Sequence, residues 1–444
     1  MAFVPQPGHD DHGGHIPVYW LDKEVPPTRW ERVARRLNDL PAGLCVIVIA
    51  LVAIVIVQAP VLSISMPDVG VPSLSLPGDS FSASRDDDRE SSRIANTAAI
   101  PPASVSRATP AQEVATPPGS ILDLARNIAD PPNELGRVPI LMYHAFVHDP
   151  SNVDPWTLTF DQFREHLDWL REHDFVMAGV QSMIDGRFDV PAGKRPVILT
   201  FDDASSGQFG LRESPDGGYE VKPDTAVGVL EAYAAEYPEF AGPAFFAVLP
   251  FNCFASDDDP STCKERLNWL VEHGYEVGNH TASHDDLTDV SPDSFTKSIG
   301  SMMMWINERV PQGPGNLSRV LVLPYGAYPD IDLHPDERSW LSEGFWYLGE
   351  PVDLLLVMDV AGGPAISPYS SAAHPVDTYR INTEPERFTY FQEQVKSGEV
   401  SIFVSDGDPE VVSVPAKYED EVDTNFLERK GLELRVYGDA GEAG

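Results

Sequence analysis

Between about residue 137 and residue 405, short apolar runs alternate with longer stretches of helical periodicity, and this alternation limits the fold more than any other feature. "VPILMYH", "PVILTF", "PAFFAVLP", "YEVGNH" and "RVLVLPYG" read as strands buried on both faces. Between them, "TFDQFREHLDWLREHDF" sets Phe160, Phe163, Leu167 and Leu170 at helical spacing behind Thr159, a candidate cap. "DTAVGVLEAYAAEY", "CKERLNWLVEHG" and "SPDSFTKSIGSMMMWINERV" supply further helices, with Met302–Met304 read as core filling. Doubly buried strands separated by helices predict a parallel β/α architecture. Beyond them, "TYRINTEPERFTYFQEQV", the strand-like "EVSIFVSD" and a tail ending in "LELRVYG" are less regular, and no internal repeat is evident.

Ahead of that region, "LPAGLCVIVIALVAIVIVQA", Leu40 to Ala59, carries no charge over about twenty residues, enough for a helix to cross a bilayer core. It is long for the apolar part of a signal peptide, and no small-residue cleavage site follows closely. Arg29, Arg32, Arg35 and Arg36 precede the span, and no basic residue follows until Arg85. That asymmetry predicts a cytoplasmic N-terminus and an exported bulk. The expected organisation is a polar cytoplasmic tail (1–38), a transmembrane helix (39–60) and a Pro/Ser-rich disordered linker (61–135). A folded domain (136–409) and a C-terminal extension of unassigned role (410–444) complete the chain. "PGHDDHGGH" in the tail is read as part of its disorder rather than as a metal site.

The net charge of −38 excludes nucleic acid as a partner, since phosphate binding needs basic patches. Only 8 lysines stand among the 31 basic residues, which fits either a high-salt habitat or a soluble exported protein. Of three cysteines, Cys45 lies in the apolar span; Cys253 and Cys263 flank "ASDDDPST", where spacing leaves a disulfide open and an exported location favours one.

Three strand-to-loop junctions carry chemistry: "LTFDDAS" (199–205), "EVGNHTASHDDL" (276–287) and "LVLPYGAY" (321–328). In a parallel barrel these exits share one rim. Asp202 and Asp203 are adjacent like charges at the end of a buried strand, a conflict that a cation or a proton resolves. Taken alone they also fit a strand end meeting solvent. His280 and His284 are four apart; on a helical turn both would share a face in a two-His metal geometry.

"TFDD", "HTASH" and "PYG" in this order, with "LMYH" upstream, resemble the polysaccharide deacetylases, the NodB-homology or carbohydrate esterase family 4 enzymes, over roughly 137–405. The resemblance implies an α/β fold, a distorted (β/α) barrel of the NodB-homology type, here following one transmembrane helix and a disordered linker. It implies a divalent metal, usually Zn2+, on Asp203, His280 and His284, with Asp202 as general base and the Tyr325 backbone N–H holding the oxyanion. Pro324 and Gly326 would shape that turn.

The sequence departs from the family pattern in three places. Val322 stands where an arginine often orients the base; Arg380 in "TYRIN" is the candidate substitute, with a surface arginine as the alternative. Ala204 replaces a usual glycine. The late-chain catalytic histidine is missing, with Ser405 in the corresponding "SIFVSDG". A permuted branch takes that histidine from the early motif, which points to His144, with His374 as the weaker candidate and a core histidine as the alternative to either.

The expected activity is a polysaccharide (N-acetylglucosamine) deacetylase, a hydrolase acting on carbon–nitrogen bonds other than peptide bonds. Its expected partners are an acetylated cell-surface or extracellular polysaccharide and the membrane, through one N-terminal helix. The alternatives are an O-acetyl esterase on a glycan such as xylan, and a catalytically silent glycan-binding envelope protein.

Overall fold

A computed structural model describes residues 131–438, apart from 216 and 257. The expected tail, the span at Leu40–Ala59 and nearly all of the linker lie outside those residues. Among the described residues no helix is long and apolar enough to cross a membrane.

Seven strands form a closed ring: β1 (Ile140–Tyr143), β2 (Arg195–Asp202), β3 (Phe245–Val248), β4 (Glu276–Asn279), β5 (Asn316–Val322), β6 (Leu356–Gly362) and β7 (Thr378–Asn382). Each pairs with the next in sequence and β7 closes on β1. Every pairing is parallel, from Ile140↔Ile198 between β1 and β2 to Leu141↔Ile381 between β1 and β7. All seven C-terminal ends therefore share one rim.

The period-2 alternation of strand side chains sorts the core. Ile140, Ile198, Phe245, Ala247, Val320 and Val322 join one apolar cluster, and Leu141, Leu199, Phe246 and Val277 join another with the helices. That second cluster includes Phe163, Leu167 and Leu170 of α1 (Phe160–Glu172), Leu230 of α2 (Ala226–Glu236) and Leu267 of α3 (Cys263–Glu272). α1 starts where expected: the Thr159 hydroxyl accepts from the Gln162 N–H, and the Gln162 side chain accepts in return from the Thr159 N–H. α4 (Pro292–Asn307) buries Met302 and Met303 as core filling.

The barrel is distorted at β2. Its first half pairs with a short strand, Phe175–Met177, and only its second half meets β1. Five of the seven strands coincide with the expected apolar runs. β6 and β7 were not among them, and "EVSIFVSD" is not a barrel strand. Ile402 and Val404 make isolated bridges to Arg137 and Asn133. The Ser405 N–H and hydroxyl donate to the carbonyls of Lys194 and Val190, at the entry to β2 and far from the rim.

The segment after Pro409 is not detached from this fold. Val411–Pro415 and Glu433–Tyr437 form a two-stranded parallel sheet. Val412, Val414, Val422, Leu427 and Leu432 share an apolar cluster with Val138, Ile140, Phe188 and Phe403, closing the end opposite the rim.

Candidate active site and metal centre

Asp202 is the last residue of β2, on the same alternating face as Ile198 and Thr200, so its carboxylate points inward. It is almost wholly buried and meets Arg380 of β7 end to end. Nη1 donates to Oδ1 and Nη2 to Oδ2, each at 2.8 Å. Arg380 is fully buried too, and is held by the Asp359 carbonyl at 2.6 Å and the Thr200 hydroxyl at 3.1 Å. Burial alone would raise the Asp202 carboxyl, but Arg380, helped by His280 and His144, holds it well below the usual carboxylate range. Arg380 is thus a buried partner of the carboxylate and not a surface arginine.

The next two residues turn sharply. Asp203 (φ 77°) and Ala204 (φ 53°) are both left-handed, which accounts for the glycine usual at the second position. The turn sends the Asp203 side chain toward the exit of β4. There the segment after Asn279 is a loop and not the helical turn the i,i+4 spacing suggested, with Thr281 (φ 65°) and His284 (φ 57°) left-handed. The Asn279 side chain accepts from the Thr281 N–H and donates to the Ile299 carbonyl, pinning the loop to α4. Both histidines thus leave one strand, while Asp203 comes from another.

His280 and His284 each bring Nε2 close to Asp203 Oδ1, at 3.3 and 3.4 Å. The facing atoms of all three residues lie within 4.8 Å of one another. His280 Nδ1 lies 3.0 Å from the Val322 carbonyl, which can only accept, so Nδ1 carries the proton and Nε2 presents a lone pair. Val322, lacking the family arginine, thus orients a histidine through its backbone. Asp203 Oδ1 and His280 Nε2 are both buried without a hydrogen-bond partner. Two acceptors facing one another unpaired are what a cation-binding site presents, and the donor set of one carboxylate and two imidazoles suits a divalent ion. Burial, with His280 beside it, lowers His284 below the ordinary imidazole value and favours the neutral ring a ligand needs.

Tyr325 sits in a turn with φ 59° and ψ 5°. Its hydroxyl is 2.9 Å from His284 Nδ1 and its ring stands edge-on to that imidazole. Gly326 (φ +63°) is pressed on β6: a Cβ there would meet Asp359 Oδ1 at 2.5 Å. Glycine is therefore required on both counts, as the "PYG" turn suggested.

His144 follows β1 on the same face as Ile140, and its Nε2 lies 3.8 Å from Asp202 Oδ2. Trp156, half exposed, packs edge-on against it at 4.8 Å between ring centroids. Burial outweighs the pull of Asp202 and Asp203 and lowers His144 below its ordinary value. His374 does not join the site. It precedes β7 at the opposite end of the barrel and lines a separate cavity with Leu356, Thr378 and Phe426. The sequence reading missed Thr200, the Asp359 carbonyl and Trp156, which nothing in their local pattern marks.

Cys253 and Cys263 are disulfide-bonded. Beside the bridge, the Asn252 side chain donates to the Asp203 carbonyl at 2.9 Å and the Phe254 N–H donates to the Ala204 carbonyl at 2.6 Å. The bridged loop therefore braces the turn that carries Asp203.

A family model described as polysaccharide deacetylase matches residues 189–333. That span contains Asp202, Asp203, His280, His284 and Tyr325, and leaves out His144 and Arg380. Among solved structures, the chain is similar to a Streptococcus pyogenes deacetylase, PplD, in complex with acetate, at 20% identity over 57% of this chain and 97% of that one, TM-score 0.38. It is also similar to a polysaccharide deacetylase from Bacillus cereus (14% identity, 58% and 69% covered, TM-score 0.42). A third is IcaB from Ammonifex degensii (16% identity, 59% and 97% covered, TM-score 0.37).

Proposed function

The chain carries a polysaccharide deacetylase domain, and from that premise we propose a divalent-metal-dependent N-deacetylase acting on N-acetylated sugars of a cell-surface or extracellular polysaccharide. The observation that carries this reading is the pairing, on one rim, of a buried carboxylate kept ionised by Arg380 with unpaired Asp203 and His280 acceptors.

In this reading Asp203, His280 and His284 hold the ion, with zinc the expected choice. A cation bound there would make an attacking water more acidic and polarise the acetyl carbonyl. Asp202 takes the proton from the water. The Arg380 pairing that keeps Asp202 ionised also makes it a weak base, so the water it serves must be an acidified one. The Tyr325 backbone N–H, in the "PYG" turn, is the donor assigned to the developing oxyanion. His144 delivers a proton to the departing nitrogen. Its Nε2 stands 3.8 Å from Asp202 Oδ2, so the proton that Asp202 takes from the water has a short route to it.

His144 also supports the amide reading: an amine anion is a far poorer leaving group than an alkoxide and needs such a donor. Extracytoplasmic placement behind a membrane helix at Leu40–Ala59 is part of the proposal. It is supported by the uncharged span, the arginines before it and the Cys253–Cys263 bridge, which suits an oxidising compartment. Acetate release from N-acetylglucosamine oligomers, compared with acetylated xylan, tests the reading: release from xylan alone would replace it with the esterase.

A further inference from the structure

Gln208 lies six residues beyond Asp202, outside every motif named above, and is fully buried. Its Nε2 donates to the His144 carbonyl at 2.7 Å and also to the Asp202 carbonyl. These two carbonyls belong together. The β1–β2 ladder ends at Tyr143↔Phe201, so His144 and Asp202 are the next facing pair, just past the last register contact. His144 lies past the end of β1, so its carbonyl has left that ladder, while Asp202, still paired with Ala247 of β3 on its other side, gains a second tie through the same amide.

A primary amide suits this position for a specific reason. One nitrogen with two hydrogens can satisfy two acceptors at once. The orientation is fixed by chemistry: turned over, the amide would set its own oxygen against two carbonyls. In the observed orientation, Gln208 Oε1 is buried with no hydrogen-bond partner. A residue that only filled space would not carry an unpaired polar atom into the core, where Leu or Met fills the same volume at no such cost. The donors are what the site retains.

We propose that Gln208 is a positioning residue that acts through His144. It clamps the backbones of His144 and Asp202, and so sets the 3.8 Å spacing between the His144 imidazole and the Asp202 carboxylate. The backbone N–H of Gln208 donates to the Ser205 carbonyl and its own carbonyl accepts from the Val227 N–H. The clamp is therefore anchored to the Asp203 loop and to the start of α2. This inference rests on the deacetylase reading, because its effect is expressed through proton delivery to the leaving amine.

The test uses the full chain loaded with zinc. Gln208→Met and Gln208→Glu remove the paired donors at near-constant size. Each should lower kcat on an N-acetylated oligosaccharide roughly tenfold or more, with KM and zinc affinity within about twofold of wild type. Hydrolysis of an activated aryl acetate should fall far less, because that leaving group needs no proton. In a His144→Ala background, adding Gln208→Met should change the amide rate by less than about twofold, since the residue it acts through is gone.

Equal losses on amide and aryl ester, additive with His144→Ala, would overturn the inference in favour of a packing role. Failure of both Gln208 variants to fold or to hold zinc would overturn it as well. An unchanged amide rate in Gln208→Met would do so while leaving the deacetylase reading intact. A wild-type protein that releases no acetate from any N-acetylated glycan would remove both.

Discussion

Arg380 and Asp202 meet in the barrel interior with each terminal guanidinium nitrogen 2.8 Å from its own carboxylate oxygen and both side chains buried. Breaking such a pair strands a buried charge, at a cost of about 3–5 kcal/mol. Arg380→Met should therefore lower unfolding stability by that amount in urea titration. Arg380→Lys keeps the charge but not the two-pronged geometry, and should fold while losing at least about tenfold in rate. An Arg380→Met protein as stable and as active as wild type would show that the pair has no such role.

His144→Ala should retain metal, because His144 is not among the proposed ligands. Its amide hydrolysis should slow by roughly 10²–10⁴-fold, the usual worth of a positioned acid, with an activated aryl acetate slowed far less. Steady-state rates on the two substrates decide this. Equal losses would mark His144 as structural.

Glu276, at the entry to β4, provides a pH test away from the site. Burial raises its carboxyl to about 7, against the pull of the Gln181 and Val180 N–H groups it accepts at 3.0 and 2.7 Å. The unfolded value is about 4.3, so between about 4.3 and 7 the folded chain holds a proton that the unfolded chain has released. This contribution is complete below the unfolded pKa and is lost as pH rises through 7, amounting to about 4 kcal/mol. Glu276→Gln should flatten the fall in stability across that window, measured by urea unfolding at several pH values. Identical slopes in the two proteins would contradict the assignment.

The Cys253–Cys263 bridge spans a sequence separation of 10 and is worth about 3 kcal/mol on the loop-entropy account. Because Asn252 and Phe254 brace Asp203 and Ala204, replacing both cysteines with serine should also weaken zinc binding, by roughly tenfold. Calorimetric zinc titration reads the second effect. Unchanged affinity alongside lower stability would confine the bridge to a stabilising role.

Asp202, Asp203, His280 and His284 were legible because strand exits on one rim converge and their residue types are scarce in apolar surroundings. The five strands found were continuous apolar runs. β7 was not, because Arg380 sits in its middle, and the reason for that arginine is Asp202, 178 positions away in sequence. The helical reading of "HTASH" failed because spacing does not reveal backbone hand: left-handed Thr281 and His284 make the loop converge where a helix would have aligned the rings. Val322 shows the opposite limit. Its side chain suggested a missing function, while its carbonyl fixes the proton on His280, and no side-chain pattern reports a carbonyl.

The most direct test measures bound metal and acetate release from N-acetylglucosamine oligomers on the same samples of wild type, chelator-treated wild type, Asp203→Ala, His280→Ala, His284→Ala and Asp202→Asn. The account predicts that chelation and the three ligand variants lose metal and activity together, and that activity returns when zinc is restored to the chelated protein. It predicts that Asp202→Asn keeps its metal and loses at least about 10²-fold in rate, since an amide cannot take the water's proton. Asp202→Asn with metal bound and a near-normal rate, or full activity after chelation, would contradict it.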